Sequence, residues 1–326
     1  MLAIVAPGQG SQSPGFLRPW LELPGVAEHL ARLSDAADLD LLAHGTTSDA
    51  DTIRDTAVAQ PLIVAAGLVV LGAVVTPDTR RAAAGADVLA GHSVGEITAA
   101  AAAGAFPEEE AIVLVRERGR GMAAASALAP TGMSAVVGGD PEEVRAALET
   151  HGLTAANMNS AGQVVAAGTL EQLAALAAAP PARARVIPLQ VAGAFHTEHM
   201  QPAVERLAAL ARSMEVHDPH VTLLSNADGA AVATGREVLD RLVGQVSRPV
   251  RWDLTMRTLA ELGVTALVEL APAGTLVGLA KRELKGVELL ALKTPDDLDT
   301  ARRMLSEHGA DGSAGAARPH PQEDPL

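Results

Sequence analysis

Three observations predict an α/β fold. Short apolar runs alternate with helical patterns along most of the chain, the first of them Leu2–Ala6. A second run, Val88-Leu89-Ala90, breaks into Gly91-His92-Ser93-Val94-Gly95 and then into an alanine-rich helical segment from Ile97 to Ala103 that stops at Gly104. Strand, tight turn and helix in that order are the setting of a nucleophile elbow. Between Gly132 and Gln190 the pattern changes to β-α-β-β-α-β, the order of the ferredoxin-like split βαβ. Together these read as a hydrolase-like parallel-sheet core with a nucleophile elbow, carrying an inserted ferredoxin-like small subdomain. The expected organisation is 1–128 and 191–305 for the large catalytic subdomain, 129–190 for the insertion, and a disordered tail over 306–326.

The elements follow in order. After Leu2–Ala6 the loop Pro7-Gly8-Gln9-Gly10-Ser11-Gln12 lies at a strand's C-terminal end, where open α/β sheets keep their ligand sites. Trp20 to Thr56 is polar and irregular, with short helical pieces. Gln60-Pro61 starts an apolar helix to about Val75, the proline suiting a first turn. Glu108–Met122 reads as a helix with three glutamates at its N-terminus. Inside the insertion the strands are Met133–Val137, Leu153–Asn159, Gln163–Gly168 and Val186–Gln190, and the helices Pro141–Glu149 and Leu170–Ala178. Beyond it come a helix Pro202–Met214, a strand Val221–Ser225, a helix Glu237–Val246, a helix ending at Gly263, a strand Ala266–Leu270 and a last helix to Lys281.

Composition narrows the function. The 326 residues, 48% of them hydrophobic, suffice for one large domain with an insertion. A formal charge of −14 without a long basic block argues against a nucleic-acid partner. With no cysteine, thiolate catalysis, disulfides and zinc–sulfur sites are excluded. No metal or redox cofactor is suggested. There is no basic leader, and the richest apolar stretch is too short to span a bilayer comfortably, so a cytoplasmic protein off the membrane is expected.

Ser93, at the tip of the elbow, is the candidate nucleophile, and the following helix turns free N–H groups toward an incoming oxyanion. A serine hydroxyl needs an adjacent base. Of ten histidines, His92 neighbours the serine but adjacent side chains diverge at such a turn. His29, His44, His151, His217, His220, His308 and His320 sit in polar or loop segments and read as solvated. His196, at a loop-to-helix junction after the insertion, is favoured over His199. Asp140, the only aspartate between Ser93 and His196, reads as a helix N-cap, so a Ser–His dyad without a carboxylate is expected. In the 108–122 helix, Ala111, Val115, Arg118 and Met122 share one face, with Arg116 and Arg120 opposite. Arg118 in an apolar stripe needs a partner: either a structural ion pair or a substrate carboxylate held bidentately.

These motifs, in this order, resemble malonyl-CoA:acyl carrier protein transacylases, the acyltransferases of fatty acid and polyketide synthesis. The resemblance spans the chain to about residue 305 and rests on Gly8-Gln9-Gly10-Ser11-Gln12, Gly91-His92-Ser93-Val94-Gly95-Glu96, Arg118-Gly119 with Met122, Asn157-Met158-Asn159, Ala194-Phe195-His196 and Pro249-Val250-Arg251-Trp252. Ala161, where many members have proline, and Ala271-Pro272-Ala273-Gly274, where Gly-Pro-Gly is usual, depart from it. The resemblance implies ping-pong transfer from malonyl-CoA through Ser93 to holo acyl carrier protein, with His196 as base. It implies that the Gln245 carbonyl orients His196, that Gln9 and Val94 supply the oxyanion hole, and that Arg118 holds the malonyl carboxylate with Gln60 and Gln163 nearby. Phe195 and Val94 favour malonyl over methylmalonyl. No cofactor is implied beyond the partner's phosphopantetheine, and a monomer is expected. An acidic carrier needs a local basic surface, for which Arg183, Arg185, Lys281, Arg282 and Lys285 are candidates. The alternatives are a thioesterase or serine hydrolase, which the elbow fits equally, and a non-catalytic docking protein.

Overall fold

The computed structural model describes residues 1–74 and 85–309. Five parallel strands form the main sheet: β1 (Leu2–Ala6), β2 (Val88–Gly91), β7 (Thr222–Leu223), β8 (Ala266–Glu269) and β9 (Glu288–Ala291), in the order β7-β2-β1-β8-β9. The three central strands are buried along their whole length, which is why they read as unbroken apolar runs. Ala3 is in register with Val88 on one side of β1 and with Leu267 on the other.

Helices cover both faces. They are α1 (Val26–Ala37), α2 (Leu41–Thr46), α3 (Thr56–Val74), α4 (Gly95–Ala102), α5 (Glu108–Ser126), α8 (Gln201–Ala211), α9 (Gly235–Gln245), α10 (Trp252–Glu261), α11 (Thr275–Glu283) and α12 (Leu298–His308). The second sheet, order β4-β5-β3-β6, comprises β3 (Thr131–Gly138), β4 (Thr154–Ser160), β5 (Gln163–Thr169) and β6 (Ala184–Pro188). Its neighbours all pair antiparallel. With α6 (Pro141–Thr150) and α7 (Leu170–Ala178) it makes the ferredoxin-like subdomain, with its own core of Val136, Val144, Leu148, Leu153, Ala166, Leu173 and Leu176. Its edge strand β4 is tied to the large body: Met158 N–H donates to the Val250 carbonyl and Val250 N–H to the Ala156 carbonyl, both at 2.9 Å.

Several local expectations are corrected. The segment read as irregular holds α1, a regular helix whose Val26, Leu30, Leu33 and Ala37 form a buried stripe. The apolar helix begins at Thr56 rather than at Gln60, so Pro61 lies inside it. The earlier start is supported by Asp55, whose carboxylate accepts from Ala57 N–H and whose carbonyl accepts from Val58 and Ala59. At 19 residues this helix is long and apolar enough to cross a membrane, but 78% of its most apolar window is buried within the fold, as a core helix requires. The helix ending near Lys281 is not the last, since β9 and α12 follow it. Residues 306–308, assigned to a disordered tail, close α12, while 310–326 lie outside the described residues. His29, His44 and His308, read as solvated, are partly buried and bonded to Glu108, Ser48, and Thr265 with Glu288.

Candidate active site

β2 delivers the chain into the elbow, and the backbone closes so tightly that two positions exclude any side chain. A Cβ at Gly91 would lie 2.0 Å from the Gly95 carbonyl carbon, and one at Gly95 would lie 2.2 Å from the Ala6 carbonyl oxygen. The strain falls on Ser93, at φ +54°. Its N–H donates to Asn226 Oδ1 at 2.7 Å, and Asn226 Nδ2 donates to the Gly91 carbonyl at 2.6 Å, so one asparagine clasps both arms of the turn.

Ser93 Oγ lies 2.7 Å from His196 Nε2, and His196 Nδ1 lies 2.7 Å from the Gln245 main-chain carbonyl. A carbonyl only accepts, so Nδ1 carries the proton and Nε2 is free to accept from the serine hydroxyl. His196 itself stands at φ +60°, in a turn held by Thr197 Oγ1 donating to the Ala194 carbonyl. Burial, reinforced by the Arg118 charge, pushes the imidazole down to about 3, so it is neutral at physiological pH. Asp140 caps α6 by accepting from Glu142 and Glu143 N–H, and no carboxylate among the described residues bonds the histidine. Ser93 bonds to His196 rather than to His199, and the His92 ring turns away to Asn159 Oδ1 at 2.8 Å.

Arg118 is 2% exposed on the inner face of α5, between Val115 and Met122. Its guanidinium donates to Gln60 Oε1 at 2.6 Å, Gln245 Oε1 at 2.8 Å and Ser93 Oγ at 3.3 Å. All three acceptors are neutral, and no carboxylate among the described residues forms an ion pair with it. Burial lowers its pKa to about 10, against the opposing pull of Glu96, and it remains a cation at neutral pH.

Above these groups is a cavity of about 90 Å³ lined by Gln9, Gln60, Ser93, Val94, Met122, Phe195 and His196, among others. It adjoins an outer cleft of about 490 Å³ between the two subdomains, which shares with it Gln9, His92, Asn157, Val165, Leu189 and Val191. Gln163 is misplaced by the sequence reading: it starts β5 in the outer cleft and makes no bond with Arg118. Gln9 and Val94 N–H groups engage no acceptor among the described residues.

Three contributors carry no role in the sequence reading. Asn226 shows no periodic or motif signal. Asn157 lines both cavities with a buried Oδ1 that has no partner among the described residues. Glu96 ends the quoted elbow motif, and its signal was the same as that of Arg118: a charge within an apolar helix. It is 4% exposed, and burial raises its pKa to about 7.

A protein-family profile described as the acyl transferase domain matches residues 4–306. The malonyl CoA-acyl carrier protein transacylase of Mycobacterium tuberculosis is 55% identical over 300 residues, covering 92% of this chain and 98% of that one. The crystal structure of MCAT from Mycobacterium tuberculosis superposes with a TM-score of 0.89 at 54% identity, covering 93% and 99% of the two chains. A type II PKS acyl-carrier protein in complex with its malonyl-transacylase matches at a TM-score of 0.84 and 30% identity, covering 93% and 99%. The elbow, the Ser93–His196 pair and the buried Arg118 thus lie in a chain that belongs to the malonyl CoA-acyl carrier protein transacylase family of acyl transferase domains.

Proposed function

We propose that this protein moves malonyl from malonyl-CoA to the phosphopantetheine thiol of holo acyl carrier protein, in a ping-pong reaction through malonyl-Ser93. The observation that carries this is Arg118: a buried cation 3.3 Å from the nucleophile oxygen, with neutral partners only among the described residues. A buried charge without a counter-ion is costly, and a ligand carboxylate supplies one. Plain acyl groups have none to offer.

In the first half-reaction His196 Nε2 takes the Ser93 proton as Oγ attacks the thioester carbonyl. The oxyanion is received by the Val94 and Gln9 N–H groups, the Ser93 N–H being already committed to Asn226. The C–S bond breaks, and the imidazolium returns its proton to the departing CoA thiolate. The pantetheine thiol of the carrier then attacks malonyl-Ser93 by the same steps in reverse order. Arg118 holds the carboxylate through both halves. The chemistry uses side chains, the donor thioester and the carrier's thiol, needs no resident cofactor, and is complete within one chain, which accords with a monomer; a cytoplasmic setting is where malonyl-CoA and the carrier would meet it. Phe195 and Val94 at the wall of a cavity of about 90 Å³ crowd an α-methyl group, favouring malonyl over methylmalonyl. An acidic carrier would meet a local basic surface, for which the exposed Arg183, Arg185, Lys281, Arg282 and Lys285 are the candidates.

Intact-protein mass after brief mixing with malonyl-CoA tests the reading. Wild type should gain one malonyl group, Ser93→Ala none, and holo acyl carrier protein should remove it. Free malonate accumulating without the carrier would make the protein a hydrolase; equal loading of methylmalonyl would remove the selectivity. Full transfer by Ser93→Ala would leave a docking protein.

A further inference from the structure

We propose that Glu96 is a positioning residue for acyl selection: its carboxylate, together with the Ser93 carbonyl, fixes which way the Gln245 amide faces, and through that amide holds the Arg118 guanidinium beside Ser93 Oγ. The inference rests on the transfer reading above.

Glu96 is the second residue of α4, in a helix otherwise made of small and uncharged side chains. Its two oxygens serve the Ser225 hydroxyl and two further donors. One accepts from the main-chain N–H of Asn226 at 3.1 Å, the other from Gln245 Nε2. The first donor belongs to the backbone and has no alternative orientation. The second oxygen accepts from Gln245.

A glutamine amide presents a donor at one end and an acceptor at the other. While Glu96 is ionised only the donor end of the amide can face it, because two acceptor oxygens in contact would repel. Oε1 of Gln245 is thereby turned to Arg118, from which it accepts at 2.8 Å. Reversed, the amide would set an NH2 group against a guanidinium NH2, and Arg118 would lose one of its three anchors. Gln245 also donates from Nε2 to the Ser93 carbonyl at 3.1 Å, while its own carbonyl holds His196. One residue thus touches nucleophile, base and clamp, and Glu96 shares its donor end with the Ser93 carbonyl and, at 3.3 Å, Asn226 Oδ1.

The placement has a second consequence. Glu96 acts on Arg118 through space without contacting it, the amide lying between them. A carboxylate bonded directly to the guanidinium would occupy the donors meant for substrate. One side chain further away, it supports the buried cation without taking a guanidinium donor.

Glu96→Gln tests this. Its amide must either set a donor against Asn226 N–H or turn Gln245 round. Single-turnover acylation by malonyl-CoA and by acetyl-CoA, followed by intact mass, gives the preference for the carboxylated acyl group. That ratio should fall by about tenfold or more in the variant, the loss of one hydrogen bond to a charged group. Equal decline of both rates, or decline of neither, overturns the proposal. If Glu96→Gln does not fold by circular dichroism, Gln245→Met is read the same way, since it removes both ends of the amide and keeps the carbonyl on His196. An unchanged ratio there overturns it too. No malonyl adduct on wild type would sink the transfer reading itself, whereas a wild-type adduct with unchanged ratios sinks only this inference.

Discussion

Ser93 and His196, the two reacting residues of the proposed transfer, both stand at positive φ, +54° and +60°. Neither is glycine, so each conformation is strained and held by its surroundings. For Ser93 the holder is Asn226, and for His196 it is the Thr197 hydroxyl and the Gln245 carbonyl. Arg118→Ala should slow malonyl loading by about 10- to 100-fold, the worth of a hydrogen-bonded charge pair; single-turnover acylation at saturating malonyl-CoA would show it, and an unaltered rate would remove Arg118 from the clamp. The imidazole of His196, pushed down to about 3 from an ordinary 6.5, stays neutral where free histidine would be half protonated. Protonation of His196 should therefore not limit loading between pH 7 and pH 5; in Glu96→Gln, which lacks the carboxyl that titrates near 7, loading should hold nearly constant over that range, and a half-maximal point at 6.5 there would contradict it. In the unfolded chain the same histidine takes a proton below 6.5, so its contribution to stability is present above that pH and is lost as pH falls toward 3. Glu96 has the opposite sign. Raised from 4.5 to about 7, it contributes fully below 4.5 and loses that contribution as pH rises through 7. Denaturant unfolding of wild type and Glu96→Gln should thus shift in favour of the variant between pH 4.5 and pH 7.5.

At the scale of elements, the elbow depends on close approach more than on flexibility. Gly95→Ala would drive a methyl group to 2.2 Å from the Ala6 carbonyl oxygen, forcing α4 off β1. A loss of about 1–3 kcal/mol is expected in urea unfolding, together with lost acylation as Ser93 shifts; a wild-type midpoint would show that the helix can move freely. On the other side of β1 a similar strand-to-helix junction uses different chemistry. Glu269, at the end of β8 and 0% exposed, accepts N–H bonds from Gly274, Leu276 and Val277 at the start of α11. The elements themselves were unevenly legible. Leu170–Ala178 was read with the bounds the structure has, because Thr169 and Gln172 form a capping box at its start. The stripe of α1 was present but lay in a polar segment, and β9, an edge strand beginning with Glu288, had neither length nor alternation to announce it.

Across the whole molecule, the site depends on how the two sheets are joined. Trp252, 0% exposed, packs its ring edge-on against His92 at 5.5 Å, while the adjacent Val250 pairs with β4 and His92 bonds to Asn159 on that strand. Trp252→Ala should cost about 3–5 kcal/mol of stability and also slow acylation, because the cavity opens where the subdomains meet; a stability loss with wild-type acylation would show that the joint does not bear on chemistry. The strand–turn–helix around Ser93, the split βαβ order and the helical spacing that buries Arg118 were all readable from local patterns, since each arises within a few turns or strands. Gln163 was misplaced, and Asn226, Asn157 and the work of Glu96 were not seen. Their partners are too far away in sequence: Ser93 meets Asn226 across 133 residues, and Gln245 meets Glu96 across 149. Periodicity records which face of an element is buried, because burial repeats every two residues or every 3.6. A hydrogen bond between elements repeats with nothing. The serine of the elbow, the histidine bonded to it and the buried cation could therefore be named from the chain alone, while the amide that touches all three, and the carboxylate that accepts from it, were decided only where the sheets and helices close around one cavity.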